Sequence, residues 1–109
     1  MIAQTPPPPY YAVIFTSVRT QGDNGYDAMA NKMLELAQKQ KGFLGLESSR
    51  TDIGITVSYW ESLEAIKIWK ENLDHKLAQK LGKDKWYQSY KIRIAKVERD
   101  YGFSNQPAT

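Results

Sequence analysis

Apolar and polar residues alternate with a period of two in four stretches of this chain and recur at three- and four-residue intervals in two others. That pattern predicts four strands and two helices. From Tyr11 to Arg19 (YAVIFTSVR) the strand pattern is apolar on both faces, with Tyr11, Val13 and Phe15 on one and Ala12, Ile14 and Val18 on the other. Such a strand needs cover on both sides. Tyr26, Met29, Met33, Leu36 and Ala37 then hold helical spacing from Tyr26 to Gln40, and Gly42 ends the helix. Phe43 to Arg50 (FLGLESSR) reads as the second strand, with Leu44 and Leu46 on the face of Ser48. Thr51 to Gly54 (TDIG) is a short hairpin connection to the third.

The most informative stretch runs from Gly54 to His75, GITVSYWESLEAIKIWKENLDH. Ile55, Val57 and Tyr59 alternate with Thr56, Ser58 and Trp60 as a strand, and Ser62 is placed to cap the helix that follows. Leu63, Ile66, Trp69 and Leu73 form its apolar stripe, and Lys67, Lys70 and Glu71 its opposite side. Asn72 and Asp74 are both good N-caps, so a break is expected before a second helical piece from His75 to Leu81, closed by Gly82. Asp84 can cap one more turn holding Trp86, Tyr87 and Tyr90. In the last strand, Lys91 to Phe103, apolar residues move from even positions (Ile92, Ile94) to odd ones (Ala95, Val97), which predicts a bulge or bend near Ile94–Lys96.

The resulting order, βαββαβ, is a ferredoxin-like α+β plan: a four-stranded antiparallel sheet with helices on one face. It occupies residues 10–103, between a proline-rich arm over 1–9 and a flexible tail over 104–109. Pro6 to Pro9 favour an extended polyproline II arm, either a stiff leader or a ligand for a proline-recognising module. The second face of the sheet is left without helices, so a homodimer with two sheets packed face to face is expected.

Composition narrows the function more than it names it. A 109-residue chain with net charge +3 has its lysines scattered among acids, with no basic block interleaved with aromatics, so nucleic acid is not an expected partner. The absence of cysteine removes disulfides, thiolate metal sites and cysteine nucleophiles, and suits a cytoplasmic protein. No apolar run reaches the roughly 20 residues of a membrane helix, and no membrane association is expected. One histidine and no acidic cluster of ligand spacing argue against a metal site, and no phosphate loop, nucleophile elbow or dinucleotide fingerprint is present.

The run VSYWESLEAIKIWKENLDH, followed by the final strand YKIRIAKVERDYGF, resembles the antibiotic biosynthesis monooxygenase superfamily of dimeric α/β barrels. The resemblance covers most of residues 10–103. It implies a dimeric barrel and a small-molecule substrate, with activities that range from oxygenation of polycyclic phenols without a cofactor to haem degradation. Haem degraders of that superfamily use an asparagine in the first strand and a tryptophan and histidine on the second long helix. Trp69 looks like that tryptophan. Here no asparagine occurs in Tyr11–Arg19, the position ten residues beyond Trp69 is Gln79, and His75 is in register with a histidine common in the wider superfamily.

Histidine is the side chain that ordinarily titrates near neutrality, so His75 is the first candidate to take a phenolic proton, after which the anion can pass an electron to O2. Trp69 is either core or a ring that flanks a planar substrate, adding about 0.5–1.5 kcal/mol by stacking. Trp60 has the same two readings. Arg93 and Arg99 could stabilise a developing oxyanion or simply pair with Glu47 or Glu98. Phe15, Ser17 and Tyr59 complete the candidate substrate-binding set. The expected activity is a cofactor-independent monooxygenase acting on a small aromatic or quinone-forming molecule, the alternatives being a haem-binding or haem-degrading protein and a non-catalytic dimeric binding module.

Overall fold

The computed structural model describes residues 1–22, 25–77 and 86–105, with side chains outside 74–77. Six elements follow in the order β1 (Tyr10–Arg19), α1 (Tyr26–Gln38), β2 (Phe43–Arg50), β3 (Gly54–Trp60), α2 (Leu63–Leu77) and β4 (Tyr87–Val97). The strands form one antiparallel sheet in the order β2-β3-β1-β4. This is the ferredoxin-like α+β fold that the pattern of apolar positions predicts. Among the described residues no helix is long and apolar enough to cross a membrane.

Trp60 anchors the assembly. It ends β3 fully buried at 0 % exposure and packs with Ala65 and Ile66 of α2. Tyr11, Val13, Phe43 and Trp69 close around that cluster. Phe43 meets the indole edge-on at 5.4 Å, and Trp69 stacks on it at 6.0 Å. The buried indole N–H donates to Ser58 Oγ at 2.9 Å, so the polar atom is not stranded. Ser62 caps α2, its Oγ accepting the Ala65 N–H at 3.0 Å.

Gly42 fits α2 to the sheet. Its φ of 90° lies in the left-handed region, and a Cβ there would meet Ala65 Cβ at 2.8 Å. Only glycine lets the chain leaving α1 pass so close to α2.

Several expectations are corrected. The stripe of α2 uses Ala65, Ile66 and Trp69, whereas Leu63 is 54 % exposed, because the helical turn carries it off the arc those three residues bury. No break occurs at Asn72–Asp74: α2 continues to Leu77, its backbone ladder outweighing two local caps. The rest of the second helical piece expected over 75–81, Gly82 and Asp84 lie outside the described residues. Tyr87 and Tyr90 belong to β4, not to a helical turn, and β4 ends at Val97 rather than Phe103.

No bulge interrupts β4 near Ile94–Lys96. Its register against β1 runs unbroken from Tyr10↔Val97 to Val18↔Ser89, and shifts only between Val18 and Arg19. The change of parity in its apolar residues therefore marks two different faces of one regular strand. The irregularity in β2 lies at Phe43–Gly45, where Leu44 is the extra residue, so Leu44 and Leu46 do not share a regular face.

Trp60→Ala should cost roughly 3–5 kcal/mol of unfolding free energy, the range for emptying a buried aromatic site. Ser62→Ala should cost about 1 kcal/mol, the usual value of a lost N-cap. Chemical denaturation of the two variants checks both the values and their order.

Candidate functional site

The alternation of each strand divides the candidate residues between two faces. Tyr11, Val13, Phe15 and Ser17 of β1 share a face with Trp60, which packs on α2. Their neighbours across β4 are Lys96, Ile94, Ile92 and Tyr90. The helices rest chiefly on β2 and β3. Among the described residues this leaves the helix-side surface of β4 uncovered, with Ile92 44 % and Ile94 52 % exposed beside half-buried Val13 and Phe15. An apolar lane results, its floor made by β1 and β4.

Aromatic rings bound this lane at both ends. The Trp60–Trp69 stack lies beside Val13. At the other end Phe15 stacks on Tyr90 at 5.4 Å and meets Tyr87 edge-on at 5.5 Å. Tyr87 in turn meets Tyr26, at the start of α1, at 5.8 Å. The Tyr87 hydroxyl is held protonated far beyond the ordinary phenol range, first by burial and then by its hydrogen bond to Tyr26. Tyr87 is thus a wall of the lane rather than a base at neutral pH.

Tyr59 and Arg93 sit on the opposite, helix-free face, with Ala12 and Ile14 as their β1 neighbours. Arg93 and Ser17 both line a cleft of about 290 Å³, with Thr16, Ile53, Tyr90 and Lys91. Tyr59 donates to Glu47 Oε1 at 2.8 Å, and Glu47 Oε2 accepts the Ala3 N–H at 2.9 Å. Thr5 donates to the Tyr10 hydroxyl, which donates to Asp100. The N-terminal arm is therefore tied to the helix-free face through Glu47 and Tyr10. Along β4 this face carries Lys91 and Arg93 besides Ala95, so it is more basic than the sequence pattern suggested. The His75 side chain lies outside the described residues.

One group of residues was missed when the chain was read by pattern alone. Arg19 and Arg50 come together at Tyr26, the Arg19 guanidinium 3.7 Å and that of Arg50 5.8 Å from the ring centroid. A cleft of about 490 Å³ opens beside them, and Asp27 and Asp52 line the same cleft. A signal existed, since each arginine closes a strand, but only the pairing of β1 with β3 and β3 with β2 brings those ends together. Among the described residues no group of three or more histidines and carboxylates could hold a metal ion.

The uncharacterized protein YqjZ of Bacillus subtilis is 50 % identical to this chain over 100 residues, which cover 90 % of the chain and 88 % of YqjZ. The chain belongs to the YqjZ family. Its fold is that of the antibiotic biosynthesis monooxygenase superfamily. A candidate antibiotic biosynthesis monooxygenase from Bordetella bronchiseptica superposes with a TM-score of 0.63 at 14 % identity, over 81 % of this chain and 96 % of that one. A mutant of MhuD, crystallised with two manganese protoporphyrin IX molecules per active site, gives a TM-score of 0.63 at 18 % identity, over 85 % and 99 % of the two chains. At such identities the likeness concerns the fold. No protein-family model matches the chain.

The tie between arm and sheet should respond to pH at both extremes. Glu47 is held below its ordinary value of 4.5, first by the Ala3 N–H and then by Tyr59. A lowered folded value means that its contribution is complete above 4.5 and is lost as pH falls through the folded value. Burial, then the Glu47 bond, pushes Tyr59 up to about 12, so its contribution holds below 10.0 and fades as pH rises toward about 12. The stability gap between the wild type and Glu47→Gln, followed by denaturation against pH, should therefore close in acid. The phenolate absorbance of Tyr59 should appear well above the ordinary tyrosine range.

Proposed function

We propose that the lane on the helix side of β1 and β4 binds a planar aromatic or quinone-forming molecule, which the protein oxygenates without a resident cofactor. The observation that carries this reading is the uncovered apolar floor of Val13, Phe15, Ile92 and Ile94 between two aromatic clusters. Exposed isoleucines on an otherwise packed face lose little by accepting a flat hydrophobic ligand, and the rings at either end can stack on it. The superfamily fold supports oxygenation over other chemistries of aromatic substrates.

In this reading His75 takes the proton of a substrate hydroxyl, and the electron-rich anion reduces O2 by one electron. Recombination puts one oxygen atom on the ring, the other leaves as water, and the substrate supplies all the electrons. Trp69, stacked on Trp60, acts as a fixed wall that limits the tilt of the ring. Phe15 lines the floor and Ser17 lies buried beside it, hydrogen-bonded by Arg50, while Tyr59 and Arg93 alternate to the other face.

Haem is the competing occupant. With one histidine and no cysteine, the chain offers an iron a single imidazole, that of His75. Addition of hemin separates the two readings: a Soret band that disappears in His75→Ala favours haem, and oxygen uptake with naphthols or hydroquinones but no Soret change favours the monooxygenase. Phe15→Ala should weaken binding of such an aromatic by roughly tenfold, through lost stacking and contact area, in a fluorescence titration. No uptake and no binding across the panel would remove the enzymatic reading.

A homodimer is part of the same proposal. Ile55 is exposed on the helix-free face, and β4 is a long edge strand whose backbone is open to pairing. Light scattering should give twice the chain mass of 12.5 kDa at micromolar concentration. A stable particle of the single-chain mass would refute the dimer.

A further inference from the structure

Resting on the reading that two copies pack through their helix-free faces, we infer that residues 98–103 of each copy cross to the other, where Tyr101 and Phe103 fill the cleft of Thr16, Val18, Ile53, Lys91 and Arg93. Tyr101 is 92 % and Phe103 88 % exposed, two large rings beyond the end of β4 that the described parts of their own chain leave uncovered. Rings of this kind gain most from being covered, because each can bury roughly 150–250 Å². Two from each copy would supply about half of the roughly 1,200–2,000 Å² that a stable interface buries.

The tail does not serve the cleft of its own chain. β4 runs antiparallel to β1 with Val97 opposite Tyr10, and Tyr10 donates to Asp100, so the tail is rooted at the Tyr10 end of the sheet. That end of the helix-free face is already filled from within. Tyr10 and Ala12 are each 5 % exposed, and Ala3 lies against Gly45, where a Cβ would stand 3.1 Å from the Ala3 Cβ. The cleft opens at the other end, beside Thr16 and Val18. From Tyr10 to Thr16 the strand advances about 20 Å. From Asp100 to Phe103 the chain spans at most about 11 Å.

A second copy removes the mismatch. A two-fold axis lying between two facing sheets, perpendicular to the strands, sets the Tyr10 end of one copy over the cleft end of the other. The relation is reciprocal, so both tails and both clefts are used. Charge and shape agree with this pairing. Thr16, Val18, Lys91 and Arg93 alternate onto the helix-free face, Ile53 adds an apolar side at 49 % exposure, and no carboxylate among the described residues lines the cleft. Asp52, next to Ile53 in the chain, lines the cleft of Arg19 and Arg50 instead. Residues 98–103 bring two acids, Glu98 and Asp100, against the single Arg99. The stems of Lys91 and Arg93 offer apolar cover to the rings, and their cationic heads are attracted to the ring faces.

The chain has no cysteine, so an engineered disulfide meets no competing thiol. Ile53→Cys combined with Phe103→Cys should give, after mild oxidation, a covalent pair at twice the chain mass on a non-reducing gel. Each single variant should stay at the chain mass, because the symmetry sets the two clefts, and likewise the two tails, at opposite ends of the pair. In the full chain, Tyr101→Ser with Phe103→Ser should weaken the dimer roughly a hundredfold, read by light scattering over a dilution series, since buried aromatic anchors dominate such interfaces. Its circular dichroism should be unchanged, both rings being exposed in the single chain. A wild-type dimer whose double-cysteine variant stays at the chain mass, or whose double-serine variant dimerises as before, would overturn the tail exchange and leave the dimer standing. Equal cross-linking in the single variants would do the same. A wild type of single-chain mass would remove the dimer and the exchange together.

Discussion

The burial of Trp60 decides how the rest of the molecule is arranged. A fully enclosed indole at the end of β3 needs apolar cover from several directions, and Ala65, Ile66, Trp69 and Phe43 supply it. That requirement draws α2 onto β3 and, through the close passage at Gly42, locks the exit of α1 against the start of α2. Cover drawn to one side of the sheet is missing from the other. Among the described residues the helix-side surface of β4 stays open, and with it the lane on which the functional reading rests.

A second consequence concerns the distribution of polar groups. The helix-free face is organised around acid and phenol pairs, Glu47 with Tyr59 and Asp100 with Tyr10, which hold the N-terminal arm. On the helix side, Lys96 stands at one end of β4 and Arg19 and Arg50 beside Tyr26 at the other, with Ile92 and Ile94 between them. An apolar surface bordered by charged side chains suits a small molecule with both apolar and polar parts, because burial supplies affinity and polar contacts fix orientation.

Similarity to YqjZ and superposition on superfamily members bear on different questions. Identity of 50 % over most of both chains places this protein in one family with YqjZ. The superpositions at 14 and 18 % identity establish a shared backbone plan. The chemistry must then be argued from the residues that this chain places on that plan, above all Phe15, Ile92 and Trp69.

Local pattern alone determined the number, order and type of the elements, because period-2 and period-3.6 burial is written into neighbouring residues. The cap at Ser62 and the limits of β2 could be read in the same way. Which face each side chain presents was decided by the tertiary structure. A strand that is apolar on both sides, such as β1, does not say which side the helices take, so Phe15 and Tyr59 looked equivalent until Trp60 was seen against α2. The course of α2 through Asn72 and Asp74 and the exposure of Leu63 depended likewise on backbone hydrogen bonding and on the approach of the helix to the sheet. Arg19 and Arg50 lie 31 positions apart in the chain, and no local signal joins them. Only strand pairing, which acts across the sheet rather than along the chain, brings their side chains to one cleft.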